Sequence, residues 1–183
     1  AVSGLATEDG TQAVTLTITE NESAPTVTLT SSASSIAENA GSAVTLTATL
    51  SGTTDENVTV SISTSGTGTE GTDYGTISDI TISAGNTTGT ASFTPTDDSI
   101  YEGNETAIVA VSGVAGGSAS ESGTQVVTLT ITENESAPTV TLTASASSIA
   151  ENAGSSLTLT ATLSGTTDEA VTVSISTSGT GTE

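Results

Sequence analysis

The acidic side chains of this chain are concentrated in a few short segments. The densest is TDDSIYEGNE at residues 96–105, which carries Asp97, Asp98, Glu102 and Glu105. Two carboxylates about 4 Å apart repel each other by roughly 4 kcal/mol at an effective dielectric constant near 20. A turn with four of them therefore either stays open to water or binds a cation. Oxygen ligands without His or Cys suit calcium, which takes about six to eight oxygens in flexible geometry.

The composition offers no internal partner for these charges. The 183 residues include 21 Asp and Glu but no Lys, Arg or His, which gives a net charge of −21. Without Cys or Lys, disulfides and Lys–Asn cross-links are impossible, and a bound metal is the remaining staple. Nucleic acid and anionic membranes would be repelled, so we expect neither as a partner. We find no membrane span and no targeting signal, and we expect the chain to be a piece of a longer protein.

The same composition argues against an enzyme. A nucleophilic Ser or Thr would lack a His or Lys base. A pair of carboxylates can hydrolyse glycosides, but such a site also needs aromatic platforms for the sugar. The chain has only three rings, on Tyr74, Phe93 and Tyr101. We therefore expect no catalytic residue and no cofactor other than calcium.

An internal repeat organises the chain. Residues 20–70 recur at 133–183 with four substitutions, and Pro25 and Pro138 mark equivalent positions with a period of 113 residues. The sequence thus predicts the end of one repeat in residues 1–24, a whole repeat in 25–137 and the first part of a third in 138–183. A unit of this length is a common domain size. Near-identical neighbours favour a spacer that provides length.

Alternating residues predict the secondary structure of the whole repeat. In each of seven segments Val, Leu or Ile alternates with Thr or Ser, as in antiparallel strands with one buried face. Turns rich in Gly, Asn and Asp separate them. The segments are 26–30, 43–50, 57–64, 76–83, 89–95, 105–113 and 124–132. This pattern predicts an all-β fold of tandem, Ig-like, seven-stranded antiparallel β-sandwiches.

Four motifs in order give the repeat a family likeness. They are SIAENAG, GTEGTDYG, TPTDDSIYEGNET and the closing ITENE, and the likeness that they carry covers residues 25–137. The repeat resembles a Calx-beta domain, the module of sodium–calcium exchanger regulatory loops and of many bacterial surface proteins. The resemblance implies calcium bound at one end of the sandwich by loop carboxylates and an acidic closing segment. The implied ligands are Glu38, Asp73, Asp97, Asp98, Glu102, Glu105, Glu133 and Glu135.

One departure from the family concerns the closing segment. It is often a run of Asp in the family, whereas this chain has Glu133-Asn134-Glu135. Longer side chains and a neutral amide change the number or the affinity of bound ions. The equivalent Glu20 and Glu22 would serve the preceding repeat, and Glu151 the following one. The partner loops of those two sites are not in this chain, so another chain would have to complete them.

These observations predict a calcium-binding structural repeat of a long extracellular surface protein, such as a bacterial adhesin stalk. Its partners would be neighbouring repeats, and calcium would stiffen each junction. The alternative is a subunit of an extracellular filament, in which copies of the chain join by β-strand addition. The sequence does not identify an adhesion target.

Overall fold

The computed structural model describes residues 4–7 and 9–180, and the regular structure in these ranges is β-strand. Ten strands lie in the whole repeat and three follow it. No helix in the described ranges is long and apolar enough to cross a membrane. The strands are β1 (Thr26–Ser31), β2 (Ser35–Ala37), β3 (Val44–Leu50), β4 (Val58–Gly66), β5 (Ile80–Ile82), β6 (Thr88–Phe93), β7 (Ile100–Tyr101), β8 (Glu105–Ala115), β9 (Ser120–Glu121), β10 (Val126–Thr132), β11 (Val140–Ala144), β12 (Leu159–Leu163) and β13 (Thr166–Thr167).

Two sheets face each other across the whole repeat. One has four strands in the order β6-β3-β1-β9, and the other has five in the order β2-β10-β8-β4-β5. Their facing residues are aliphatic because each strand alternates: in β3, Val44, Leu46, Ala48 and Leu50 are buried while the Thr residues between them are not. The predicted all-β sandwich is confirmed.

Aromatic rings occupy one region of this core. Tyr74 and Phe93 are buried, and their ring centroids lie 4.8 Å apart in a tilted arrangement. Tyr101, the third ring, is only partly buried and lies on β7, outside the core cluster. The interior of the sandwich therefore depends chiefly on aliphatic packing.

All seven predicted strands are present, but their number and lengths differ from the expectation. The predicted strand at 76–83 is regular only over Ile80–Ile82. Three short strands were missed: β2, β7 and β9. Each pairs in parallel with another strand over two or three residues, and such short contacts leave no alternating pattern in the sequence.

The start of the following repeat copies the first hairpin. β11 pairs with β12 from Val140↔Leu163 to Ala144↔Leu159, the same register that joins β1 to β3. Residues 51–57 and 164–170 are the equivalent turns of the two repeats, and we call them the base loops. β13 lies in the second base loop and pairs in parallel with β7 of the whole repeat. The two repeats therefore touch at the acidic segment 96–105.

Candidate metal centre

Glu38 and Glu133 are brought together by a parallel pair of strands. β2 runs beside β10 with Ala37 opposite Thr132, so the next residue of each strand, Glu38 and Glu133, leaves the sheet at the same point. The Glu38 amide donates to the Thr132 carbonyl at 3.0 Å, which fixes this register. Glu38 is only 6% exposed, although it carries a carboxylate. Such burial is costly unless the charge is compensated.

The Glu133 carboxylate organises the loop around it. Its Oε2 accepts the amides of Glu102 and Gly103 at 2.7 and 2.8 Å. Its Oε1 accepts the amides of Asn134 and Glu135 at 2.8 and 2.9 Å. Burial opposes ionisation of this group, but the amide hydrogen bonds outweigh it and lower the pKa of Glu133 to about 2. Glu133 is therefore ionised at any physiological pH.

Asn104 holds the other side of this loop in place. Its Oδ1 accepts the Glu133 amide at 3.0 Å. The neighbouring Gly103 has φ of 77°, a left-handed conformation that suits glycine. Together these residues turn the chain so that Glu102 and Glu105 face the end of the sandwich where Glu133 lies.

Asp73 reaches the same end from the turn after β4. Its amide donates to the Thr69 carbonyl at 2.9 Å, and its carbonyl accepts the Thr96 amide, also at 2.9 Å. The second bond ties the turn to the residue just before Asp97. Asp73 is 9% exposed and is the second of the two buried charged residues among those described.

Three groups of carboxylates result. Within each group, one oxygen from every member lies within 4.8 Å of the oxygens of the others. Glu38 belongs to two groups and so does Glu102, so the three groups are continuous. We call them together the acidic end. They are Glu38–Asp98–Glu102, Glu38–Glu133–Glu135 and Asp73–Glu102–Glu105.

Burial and mutual repulsion resist ionisation at the acidic end. Burial is the main cause that raises the pKa of Glu38 to about 7, and it does the same for Glu105. Burial also raises the pKa of Glu102. The charge of Asp168, in the following repeat, adds to the rise for both Glu102 and Glu105. Near neutral pH, Glu38 and Glu105 therefore need either a proton or a cation.

One oxygen has no hydrogen-bond donor at all. Glu135 Oε2 is shielded from solvent and has no partner among the described residues, while Oε1 of the same carboxylate accepts from Asn134. When the Glu135 carboxyl group holds a proton, it shares that proton with Glu133, and this raises the pKa of Glu135. An unpartnered, shielded carboxylate oxygen is a group for which a cation would compensate. The donor set is entirely oxygen, which fits calcium.

Comparison with known proteins assigns the sequence of this chain to a family. The family model described as "Calx-beta domain" matches residues 20–135 and again 132–183. The chain belongs to the Calx-beta family. The likeness noted in the sequence is thereby confirmed at the level of the family.

Solved Calx-beta structures are similar to this chain at low identity. A crystal structure of CBD12 from CALX1.2 is 18% identical with a TM-score of 0.46, over 54% of this chain and 40% of that one. The apo form of the Calx CBD1 domain is 16% identical with a TM-score of 0.49, over 61% of this chain and 99% of that one. The match therefore spans less than half of the CBD12 chain. No curated protein matches the chain.

The structure brings together seven of the eight residues that the Calx-beta likeness implied as ligands. Asp97 belongs to none of the three groups, although its charge acts on Glu135. The role of all eight as calcium ligands stays a prediction. Sequence reasoning missed two contributors, Asn104 and Asp168. The sequence gives no sign that the Asn104 side chain accepts the Glu133 amide, and Asp168 carries no signal until β13 is seen to pair with β7.

Proposed function

We propose that this chain is a calcium-binding structural segment of a long extracellular surface protein, such as an adhesin stalk of a bacterium, in which calcium stiffens the junctions between repeats. The observation that carries the proposal is the shielded, unpartnered Oε2 of Glu135 within the acidic end. Glu135 lies on the short segment that joins β10 to β11. A cation bound there would act directly on the connection between repeats.

The stiffening follows from the positions of the ligands. Glu133 and Glu135 belong to the connecting segment, whereas Glu38 belongs to the body of the sandwich. A calcium ion held by all three ties the connection to the body. Without the ion, the same carboxylates repel one another and favour a hinge. The chain holds no Lys, Arg or His that could replace the cation.

We propose an extracellular location for the same role. Extracellular calcium modules bind with dissociation constants of about 10⁻⁴ to 10⁻³ M, so millimolar calcium outside a cell occupies them while cytosolic calcium does not. Near-identical neighbouring repeats favour a role as spacers that provide length over a role in recognising a ligand. We infer a structural role without catalysis, with neighbouring repeats as the partners and without nucleic acid or direct membrane insertion.

Small-angle X-ray scattering of the full chain tests this proposal. We expect a longer, narrower distribution of interatomic distances with 5 mM calcium than with a chelator, because a fixed junction removes bent conformations. The control is Glu133→Gln with Glu135→Gln, which should give the chelator profile under both conditions. Identical profiles for the unaltered chain with calcium and with chelator would contradict the proposal.

A filament is the second candidate, and exposed apolar side chains favour it. Leu16 and Ile18 are 86% and 97% exposed in a segment equivalent to β10, and Val140, Leu142 and Ile175 are also exposed. The first segment of one copy could add to the sheet of another. Residues 138–180 contain no equivalent of β8, the strand that β10 pairs with along most of its length. This addition would therefore leave the acceptor sandwich incomplete.

Light scattering across a range of protein concentrations tests the second candidate. Assembly that depends on strand addition should disappear in a variant with Leu16→Ser and Ile18→Ser. A monomer at all concentrations would exclude the filament and leave the stalk.

A further inference from the structure

The base loop of the following repeat is held against the acidic end by its backbone. Thr166 pairs with Ile100 and Thr167 with Tyr101 in the parallel β7–β13 ladder. The Thr166 hydroxyl also donates to the Ser99 carbonyl at 3.1 Å. These contacts fix both the direction and the register of the loop relative to segment 96–105.

This register brings the backbone of Asp168 next to that of Glu102, although the exposed Asp168 side chain belongs to none of the three carboxylate groups. Asp168 follows Thr167 directly, and Glu102 follows Tyr101 directly, so the two carboxylates leave a parallel ladder at the same point. Paired strands lie about 4.8 Å apart. The same relationship places Glu38 beside Glu133 at the end of the β2–β10 ladder. One cleft is lined by Glu102 and Tyr101 on one side and by Asp168 and Glu169 on the other.

The equivalent base loop of the whole repeat indicates which carboxylate of the second base loop, Asp168 or Glu169, can face the preceding repeat. Glu56 Oε2 accepts the Gly117 amide at 3.1 Å, so Glu56 serves its own sandwich. The two base loops share a conformation, because Thr54 donates to the Glu56 carbonyl and Thr167 to the Glu169 carbonyl, both at 2.6 Å. By this equivalence Glu169 belongs to its own repeat, and Asp168 is the carboxylate free to face the preceding one.

The base loop of the preceding junction also faces acidic residues. There the closing Glu20 and Glu22 of one repeat share a cleft with Asp55 and Glu56 of the next base loop. Asp55 and Asp168 are equivalent residues of the two repeats. At both junctions an acidic base loop thus lies beside acidic residues of the preceding repeat, which are the closing Glu20 and Glu22 at the first junction and Glu102 at the second.

We propose that Asp168 supplies a carboxylate ligand across the junction to calcium bound by Asp73, Glu102 and Glu105. The inference rests on the proposed function, since it adds a ligand from the following repeat to another carboxylate group of the same acidic end. The β7–β13 ladder places carboxylates of the two repeats close together, where they repel each other. A divalent ion bound by both repeats would instead attract both sets of carboxylates and hold the repeats together. The site is then complete only when the two repeats are docked, and calcium becomes the bond between them.

Two matched variants of the full chain test the inference by calorimetric titration with calcium. Asp168→Asn removes the proposed ligand. Asp55→Asn makes the same change in the equivalent loop, whose preceding repeat lacks the other ligands in this chain. In chelator neither variant should unfold at a lower temperature than the unaltered chain, because each substitution removes a like charge from an acidic cleft. We expect Asp168→Asn to weaken the affinity of one site by about tenfold or more, and Asp55→Asn to change it by less than about twofold.

A distance measurement gives a second readout. Since the chain lacks cysteine, spin labels at Thr90→Cys and Thr160→Cys report the separation of the repeats. Calcium should narrow this distance distribution in the unaltered background and in Asp55→Asn, but less in Asp168→Asn.

The outcomes separate the two proposals. Equal calcium affinities for Asp168→Asn and Asp55→Asn, with binding retained, would overturn the ligand role of Asp168 and leave the proposed function intact. An unaltered chain that binds no calcium would overturn both.

Discussion

Carboxylates occur in two different settings in this sandwich. At the edge formed by β4 and β5, Asp79 accepts the Ser61 hydroxyl at 3.1 Å and the Ile62 amide at 2.9 Å, where the β4–β8 register shifts. Glu70 accepts the Thr64 hydroxyl at 2.6 Å and the Ile77 amide at 3.0 Å. Each of these carboxylates has its own donors and braces an irregular stretch of backbone.

The acidic end uses the same chemical group differently. Glu38 and Asp73 are buried, three groups of carboxylates approach one another, and Glu135 Oε2 has no donor. The comparison teaches that acidity alone does not mark a cation site. What distinguishes the acidic end is that its donors are unevenly shared: four backbone amides donate to Glu133, whereas in the described part of the chain the Glu135 carboxylate accepts only from the Asn134 side chain.

Glu38→Gln should change the calcium dependence of stability most strongly, because Glu38 belongs to two of the three groups. With calcium the variant loses a ligand, and most of the calcium-dependent stabilisation should vanish. With chelator at pH 8, the same substitution should instead increase the stability of the fold. Burial holds the pKa of Glu38 near 7, so its ionisation destabilises the fold by up to about 3 kcal/mol, and the neutral amide removes that cost.

Chemical denaturation with calcium and with chelator measures both effects. A variant that is less stable than the unaltered chain under both conditions would mean that Glu38 is a structural brace like Asp79.

The pH should act on the acidic end in two ways. Glu38 and Glu105 have folded pKa values of about 7, above the ordinary 4.5. The calcium-free fold therefore binds more protons than the unfolded chain between these values, and its stability falls as the pH rises from about 4.5 to 7. Calcium displaces those protons, so its affinity should rise about tenfold per displaced proton between pH 6 and pH 8.

Calorimetric titrations in buffers of different ionisation enthalpy would detect the released protons. Binding at pH 6 without proton release would show that Glu38 and Glu105 are not ligands.

Asp97 and Asp98 lie in one turn but should differ in their contribution to calcium binding. Asp98 shares a group with Glu38 and Glu102, and its amide donates to Glu38 Oε1 at 3.2 Å, whereas Asp97 lies in no group. Asp98→Asn should weaken calcium binding by about tenfold and Asp97→Asn by about twofold, since only the first removes a ligand. Equal losses in a calcium titration would assign Asp97 to the site after all.

Asp79→Asn is expected to have the smallest effect and serves as the reference. It weakens hydrogen bonds to Ser61 and Ile62 at an exposed edge, which should lower the free energy of unfolding by about 1 kcal/mol. The loss should be equal with calcium and with chelator in a denaturation experiment. A calcium-dependent loss would mean that the two settings are not distinct.

The sandwich could be predicted because long strands show alternating apolar and polar residues in the sequence, as Val44 to Leu50 do. The sequence predicted the acidic turn because four carboxylates fall within ten residues, and it placed Glu38, Asp73, Glu133 and Glu135 only through the family likeness. The short parallel ladders could not be predicted from the sequence, because a two-residue strand such as β7 is too short to show an alternating pattern. Yet β2 and β13 are the elements that position Glu38 and Asp168.

Hydrogen-bond roles were equally invisible. Asn104 and Asn86 both begin Asn-x-Thr sequences. Only the fold reveals that the Asn104 side chain is bound to the Glu133 amide while Asn86 lies in an exposed turn. Residue type predicts what a side chain can do, and tertiary contacts decide whether it does so.

Thermal unfolding of the full chain with 10 mM calcium and with chelator tests the central claim most directly. For dissociation constants of about 10⁻⁴ to 10⁻³ M, each bound ion adds about 1.4 to 2.7 kcal/mol, which corresponds to a rise of roughly 5–15 °C. The account predicts such a rise for the unaltered chain and for Asp79→Asn, and its near absence in Glu38→Gln. Equal melting temperatures with calcium and chelator would contradict it, and the acidic end would then be a solvated cluster of carboxylates.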